Sequence, residues 1–193
     1  MTIALIAIAA LLLGLVGLGL AFWLRSPGES NTGASGTGGK RETMQGGEGE
    51  RRAATVGKIT ATASSTRPPL AGNTYEAANA LDGRLMTAWA EGAEGPGLGE
   101  WIRCDFEREV TLKRISIAPG YFKSQQIWAR NNRLSSAVFY FSDGTSRQFS
   151  FEDRMEEQML ELGAVRTSWV RIEIKEVYAG TDADTAISQL AFE

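Results

Sequence analysis

The sequence predicts an all-β domain, a β-sandwich of the jelly-roll type, preceded by one transmembrane helix and a disordered linker. Three observations support this prediction: an uninterrupted apolar run at the start, a Gly/Ser/Thr-rich segment after it, and many short segments of alternating polarity at intervals of roughly 8–15 residues. The predicted boundaries are 1–24 for the helix, 25–55 for the linker and 56–193 for the domain.

Residues 1–24 carry no charged side chain, and Arg25 and Pro27 follow them. At about 1.5 Å per residue, a helix of this length spans the roughly 30 Å hydrocarbon core of a bilayer. A cleaved signal peptide would have a basic start and a shorter apolar run, and a buried helix would have a polar face. Trp23 and Arg25 are typical of a membrane interface. Of these three interpretations, we favour an uncleaved single-span anchor.

The segment 25–55 is rich in Gly, Ser and Thr, and Met44 is its only sizeable apolar residue. Such a composition buries too little surface to offset the entropy of ordering. As a flexible tether its root-mean-square reach is roughly 30 Å. We interpret the pairs 40–41 and 51–52 as solvating charges, with contact to anionic lipid as the alternative.

Composition excludes several functional classes. The chain has 20 basic and 23 acidic residues, of which the linker holds five and four, so the domain carries a net charge of about −4. This balance argues against a general nucleic-acid binder. The chain has no His and a single Cys, which excludes an imidazole base, a His-ligated metal and an internal disulfide. We interpret Cys104 as a buried, inert thiol.

The remaining groups with catalytic chemistry are carboxylates. Asp182 with Asp184, and Glu91 with Glu94, are close enough in sequence for acid–base work. We interpret all four as turn and surface residues, since no pocket is evident around them. No enzymatic activity is therefore predicted.

Apolar and polar residues alternate in several segments of the domain, as expected for strands with one buried face. These segments are 102–106, 114–117, 137–141, 147–151, 158–162, 170–175 and 186–192. The turn signal at 142–145 joins two of them into a hairpin. Only Tyr75–Leu81 has a helical pattern. Trp101 and Trp169 each begin a strand, which favours a structural role.

The motif ALDG…TAW, residues 80–89, resembles the core of discoidin-like (coagulation-factor C-type) domains, which are jelly-roll β-sandwiches. The further motifs are similar to a narrower branch, the glycan-binding, translocation-type discoidin domain attached to some secreted bacterial NAD-glycohydrolases: AEG…GLGEWI, GYFKS, WARNNR, FSDGTS, TSWVRIEIKEVYAGT and DTAISQLAF. The resemblance covers essentially all of 56–193. It implies binding rather than catalysis, because the glycohydrolase activity belongs to a different domain.

The leading candidate ligand site lies in the connection 119–134. Sandwich lectins stack an aromatic ring on a sugar and bond its hydroxyls with Asn, Asp, Arg or Lys. This connection offers that mixture at positions that match the family's GY.KS and N.R motifs: Tyr121, Lys123, Trp128, Asn131 and Arg133. In the competing account, Trp128 packs the sandwich edge while Asn131 and Arg133 hold the loop. The loop 89–100 is a second candidate.

The resemblance also raises the question of a structural Ca²⁺, because the Asp-Gly turn of discoidin-like domains often shapes a calcium-supported loop. It implies oxygen ligands from Ala80, Asp82 and Thr87. The family's usual acidic partner, in an ISE triplet, is here the neutral Gln189. We therefore predict no cofactor, with Ca²⁺ as the alternative and Asp82 as a turn-forming residue.

The predicted function is a membrane-anchored, non-catalytic module that recognises glycan at the bacterial cell envelope. The alternative is a structural or protein-interaction domain of an envelope assembly that has no carbohydrate ligand. The predicted partners are thus a glycan or an envelope protein and the membrane itself, with no nucleic acid and no oligomeric state assigned. A glycan-binding domain belongs outside the cytoplasm, and we favour that side although Arg25 alone favours the other.

Overall fold

The computed structural model describes residues 56–193, and the predicted anchor and linker lie outside this range. The strands are β1 Ile59–Ala63, β2 Trp89–Ala90, β3 Trp101–Ala118, β4 Arg133–Phe141, β5 Ser146–Ser150, β6 Gln158–Tyr178, β7 Ala186–Ile187 and β8 Gln189–Phe192. A 3-10 helix spans Ala77–Leu81, and the α-helix α1 spans Gln125–Arg130. Across 56–193, no helix has the length and apolar character needed to cross a membrane.

Antiparallel pairing organises the strands around two long ones. The main sheet has the order β1-β3-β6-β4-β5, β8 also pairs with β3, and β2 and β7 form a separate two-stranded ribbon. The first part of β3 pairs with β1, and its last part pairs with β8. Strand β6 follows β3 through both parts. The two long strands therefore connect the two parts of the β-sandwich that the sequence predicted.

Irregular pairing explains why each long strand was predicted as two shorter ones. The β3–β6 ladder shifts register between Asp105 and Val110 and again between Leu112 and Arg114. Ile102 and Leu112 are buried at even positions, whereas Ile115 is buried at an odd one. An extra residue in one strand reverses which side chains face the core, so the alternating pattern is interrupted although the strand continues.

The hydrophobic core draws on both parts of the sandwich. The buried apolar residues of β3, β4, β6 and β8 form one cluster. Phe106 on β3 and Phe192 on β8 meet edge to face with ring centroids 5.2 Å apart. Cys104 is fully buried in this cluster, as predicted. Burial raises the pKa of its thiol, so the sulfur stays protonated at neutral pH.

Several local predictions are confirmed. The predicted hairpin is β4 and β5, whose turn is closed by the Asp143 carboxylate accepting the Thr145 N–H at 2.8 Å. The helical pattern at 75–81 forms the 3-10 helix. Strands β1 and β2 and helix α1 were not predicted. Helix α1 begins where the Ser124 hydroxyl accepts the Ile127 N–H at 3.2 Å.

The tryptophans that begin predicted strands lie half-buried on the outer face of the sheet. The Arg103 guanidinium lies 4.4 Å from the centroid of the Trp169 ring. The Arg171 guanidinium lies 6.0 Å from the Trp101 ring and 4.4 Å from the Tyr140 ring. Stacking of arginine on aromatic rings covers this face, which agrees with a structural role for both tryptophans.

Glu91 is fully buried, so the prediction that it is a turn or surface carboxylate is wrong. Its two oxygens accept the Thr185 N–H at 2.9 Å and the Ala93 N–H at 2.8 Å. Burial raises the pKa of this carboxyl group. Gly97 packs against it: a Cβ at position 97 would lie 2.4 Å from Glu91 Cδ, and Gly97 has φ +65°. These hydrogen bonds, which no local sequence pattern predicts, connect the 89–100 loop to Thr185, the residue before β7.

We expect Gly97→Ala to lower the free energy of unfolding by about 2–4 kcal/mol, because it adds steric overlap with a buried carboxyl group to a strained backbone. The matched control is Gly95→Ala, since Gly95 has φ +87° but no atom within 4 Å of a built Cβ. The control should cost only about 1–2 kcal/mol. Denaturant unfolding followed by tryptophan fluorescence measures both. Equal losses in the two variants would contradict the proposed packing of Gly97 on Glu91.

Candidate functional site

A groove of about 270 Å³ is formed by three segments that are far apart in sequence. They are the loop before the 3-10 helix, the connection from β3 to β4 that contains α1, and the connection from β6 to β7. The lining residues are Arg67, Leu70, Ala71, Asn73, Tyr75, Tyr121, Lys123, Ile127, Arg130, Asn131 and Asp182. The groove therefore combines aromatic, cationic and amide side chains.

Two tyrosines form the aromatic wall of the groove. The rings of Tyr75 and Tyr121 meet edge to face with centroids 6.1 Å apart, and each residue is 5% exposed. Neither hydroxyl group makes a hydrogen bond within the described part of the chain. Burial raises the pKa of the Tyr121 hydroxyl, which therefore stays neutral at physiological pH. Both hydroxyls can donate and accept a hydrogen bond with a ligand.

The cations at the groove are held by other side chains. Arg67 lies 5.1 Å from the Tyr75 ring centroid and forms an ion pair with Asp184 at 2.8 Å. Arg130 forms an ion pair with Asp182 at 3.2 Å. Lys123 donates to the side-chain oxygen of Asn73. Each cation is thus positioned before any ligand arrives.

Asn73 in turn is fixed by its own backbone neighbours. Its amide nitrogen donates to the carbonyl oxygens of Leu70 at 3.2 Å and Ala71 at 3.3 Å. The backbone groups of Leu70 and Asn73 also bond to each other in both directions. This small loop therefore presents the Asn73 oxygen to Lys123 across 50 positions of sequence.

Asn131 lines the groove and has a buried side-chain oxygen. Its amide nitrogen donates to the Ile127 carbonyl at 2.8 Å, at the end of α1. Its side-chain oxygen is buried and has no hydrogen-bond partner among residues 56–193, although the residue is only 4% exposed. An unpaired buried acceptor costs roughly 1–3 kcal/mol.

Trp128 and Arg133 lie behind the groove and do not line it. Trp128 packs with Ala118 and Phe122, and the Arg133 guanidinium lies 4.8 Å from its ring centroid. Arg133 also bonds to both carboxylate oxygens of Asp153, at 2.9 and 2.8 Å. Both residues are more than 90% buried. These contacts are those of the competing account in the sequence analysis, in which the two residues support the loop.

The five predicted ligand residues therefore divide into two groups. Tyr121, Lys123 and Asn131 line the groove together, whereas Trp128 and Arg133 support it from inside. A ligand-binding role remains a prediction for all five. Sequence reasoning missed the other polar lining residues, which lie outside the 119–134 connection: Arg67, Asn73, Tyr75 and Asp182. No local pattern marks them, because long-range contacts bring them to the groove.

The β6–β7 connection reaches the groove through a close backbone approach. A Cβ at Gly180 would lie 2.0 Å from the Arg130 carbonyl oxygen, so only glycine fits there. The Gly180 N–H donates to the Asn132 side-chain oxygen at 2.8 Å, and the Asp182 N–H donates to the Arg130 carbonyl at 2.7 Å. These contacts bring Asp182 beside Arg130 at the edge of the groove.

The contacts of the predicted calcium ligands do not favour a calcium ion. The Asp82 carboxylate accepts the Thr87 hydroxyl at 2.8 Å and the Arg84 N–H at 2.8 Å, as a turn-forming aspartate does. Within 56–193, no three His, Cys, Asp or Glu side chains cluster in a way that could hold a metal. Ca²⁺ prefers six to eight oxygen ligands, including carboxylates. Binding at Ala80, Asp82 and Thr87 thus remains a prediction that this donor set does not fit.

The sequence matches the model of a family described as the NAD glycohydrolase translocation F5/8 type C domain, over residues 52–193. An α-(1→3)-arabinofuranosyltransferase of Mycolicibacterium smegmatis is 28% identical over 110 residues. That match covers 57% of this chain and 7% of the transferase. The chain therefore corresponds to a small part of that relative.

Two solved structures from Clostridium perfringens have the same fold. The module CpGH89CBM32-5, in complex with GalNAc-β-1,3-galactose, has a TM-score of 0.56 and 19% identity, covering 69% of this chain and 94% of the module. The family 32 carbohydrate-binding module of NanJ, in complex with galactose, has a TM-score of 0.53 and 16% identity, covering 69% and 92%. At these identities the likeness concerns the fold. Together with the family match, it leads to one conclusion: through residues 52–193, the chain belongs to the NAD glycohydrolase translocation F5/8 type C domain family.

Proposed function

We propose that this protein is a membrane-anchored, non-catalytic module that binds glycan at the bacterial cell envelope, and that the groove is its binding site. The observation that carries the proposal is that, within residues 56–193, the hydroxyl groups of Tyr75 and Tyr121 in the groove wall make no hydrogen bond. Small-molecule sites combine an apolar wall with a few convergent polar groups in this way.

The dimensions and chemistry of the groove suit one sugar residue. Its volume of about 270 Å³ lies just below the roughly 300–1,000 Å³ typical of small-molecule sites. Sugar hydroxyls both donate and accept, and so do the hydroxyls of Tyr75 and Tyr121. Lys123 adds a donor. We infer that one residue of a longer glycan enters the groove while the rest of the chain lies outside it.

The comparisons support a carbohydrate ligand at the level of fold. Two structural neighbours were solved with GalNAc-β-1,3-galactose and with galactose. Both are modules of about the size of the described domain, since more than 90% of each is covered. A shared fold alone does not establish a shared ligand. The groove chemistry is the independent support.

The groove residues support binding without catalysis. Glycosidases generally use two carboxyl groups that flank the scissile bond. Asp182 is the one carboxylate among the lining residues within 56–193, and Arg130 already pairs with it. The chain also has no His to act as a base. We therefore assign recognition, not bond cleavage, to this site.

Removing the tyrosine hydroxyls tests the glycan site. Tyr75→Phe and Tyr121→Phe keep the ring contact but remove the free hydroxyls, so each should weaken glycan binding by about 0.5–1.5 kcal/mol. Binding of the purified chain to a glycan array identifies a ligand, and calorimetry then measures the affinity. Tyr140→Phe is the matched control, because Tyr140 lies on the outer face against Arg171 and away from the groove.

Unchanged affinity in both groove variants would place the binding site elsewhere. Binding to no glycan, together with co-purification of an envelope protein, would favour the alternative of a protein-interaction domain. Circular dichroism melting of each variant separates lost contacts from lost folding.

Calcium is tested by the melting temperature. We propose that Asp82 acts as a turn-forming residue, so 1 mM Ca²⁺ and excess chelator should give the same melting temperature. Asp82→Ala should lower it equally in both conditions, because the contacts with Thr87 and Arg84 are lost either way. A rise with Ca²⁺ that Asp82→Ala abolishes would show a metal site instead.

We propose that residues 1–24 anchor the domain on the extracytoplasmic side of the cell membrane. Trypsin added to intact cells, with any outer permeability barrier opened, should then cleave at the basic pairs 40–41 and 51–52 of the linker. The released domain is detected with an antibody. A cytoplasmic marker protein that stays intact is the control. Cleavage only after lysis would reverse the proposed orientation.

A further inference from the structure

Lys123 differs from the other cations that line the groove. Arg67 pairs with Asp184 at 2.8 Å, and Arg130 pairs with Asp182 at 3.2 Å. Lys123 forms no ion pair with any carboxylate in the described range 56–193, where its hydrogen bond goes to the neutral amide oxygen of Asn73. The groove therefore contains one cation whose charge the domain leaves uncompensated.

The position of this ammonium group is fixed, and most of its hydrogen-bonding capacity is unused. An ammonium group has three donors, and the bond to Asn73 uses one of them. Asn73 is itself held by the carbonyl oxygens of Leu70 and Ala71, so Lys123 is anchored to a fixed acceptor. The lysine side chain is half-buried, which reduces its screening by solvent.

We propose that the groove selects a glycan residue bearing an anionic group, and that Lys123 is the residue that recognises the anion. This inference rests on the proposed glycan-binding function of the groove. An anion beside Lys123 gives this cation an ionic partner. Arg67 and Arg130 already have such partners in Asp184 and Asp182. A neutral sugar in the same place removes water from the ammonium group but supplies no opposite charge, and this desolvation is unfavourable.

The local charge supports this selection despite the acidic character of the whole domain. Three cations line the groove, and their acidic partners neutralise two of them. The remaining positive charge lies at Lys123, in the same groove as Tyr75 and Tyr121, whose hydroxyls make no hydrogen bond within residues 56–193. A charge-assisted hydrogen bond in such a half-buried place is about twice as strong as a neutral one.

The chemistry shared by the possible ligands is an oxyanion on a sugar, either a carboxylate or a phosphate. Lysine presents a compact point charge and lacks the planar fork of arginine, so it accepts both geometries. Hydroxyls of the same sugar can bond to the Tyr121 hydroxyl. The two sources of the anion are distinguished by the arms of the experiment.

The test compares glycans in matched pairs on one array, using the full chain in a neutral detergent. The pairs are sialyllactose and lactose, a glucuronate-ended and a glucose-ended oligosaccharide, and mannose 6-phosphate and mannose. The carboxylate pairs and the phosphate pair report on the two sources separately. We expect about tenfold tighter binding to the anionic member of at least one pair, and this preference should fall as salt rises from 0.05 to 0.5 M.

Lys123→Gln should reduce binding of the anionic member about tenfold and so remove the preference between the two members of the pair. Lys123→Arg should retain the preference. The matched control is Lys113→Gln, which removes the same charge away from the groove. Lys113 is exposed on β3 and does not line the groove. The control should behave as the unmodified chain does.

The outcomes separate this inference from the function on which it rests. Equal binding of both members in every pair, or a preference that Lys123→Gln leaves intact, overturns the inference and retains the glycan-binding function. Binding to no glycan on the array, by a chain with an unchanged melting temperature, overturns the proposed function itself.

Discussion

The groove depends on the buried guanidinium of Arg133. This one group donates to the Asp153 carboxylate and lies against the Trp128 ring. It also donates to the carbonyl oxygens of Ala129, Asn131 and Ala179. It thereby joins the connection that contains α1 to the β5–β6 connection and to the end of β6. Removing a buried charge partner costs several kcal/mol, because the other charge is left unpaired. The backbone around Asn131 is therefore held in place before a ligand binds.

A second constraint holds the 89–100 loop in place through hydrogen bonds from backbone N–H groups to Glu91. Glu91 uses both carboxylate oxygens on backbone N–H groups and is packed against Gly97. Burial is the largest cause of the raised pKa of this carboxyl group, and the two N–H bonds act in the opposite direction. These bonds connect the 89–100 loop to Thr185, the residue before β7. Rigid loops on a rigid scaffold lower the entropy cost of binding.

The proposed arrangement of anchor, tether and domain makes modest affinity sufficient. A groove that holds one sugar residue buries little surface, so its affinity for a single glycan end is expected to be weak. The predicted tether, with an expected reach of roughly 30 Å, would confine the domain near its bilayer and raise its effective concentration there. Several neighbouring copies on one membrane can bind one glycan chain together. Under this proposal, the localisation of the domain contributes as much to recognition as the groove does.

The sequence by itself identified the strands other than β1 and β2, and the motifs identified the family. Alternating polarity identified the β4–β5 hairpin and both ends of β3 and β6, because side chains on a strand alternate between core and solvent. It also placed Tyr121, Lys123 and Asn131 in one connection. Only the tertiary structure decided that Arg67, Asn73, Tyr75 and Asp182 join them, and that Glu91 is buried. The reason is physical: register shifts and contacts across 50 or more positions depend on how strands pair, and no local pattern records that pairing.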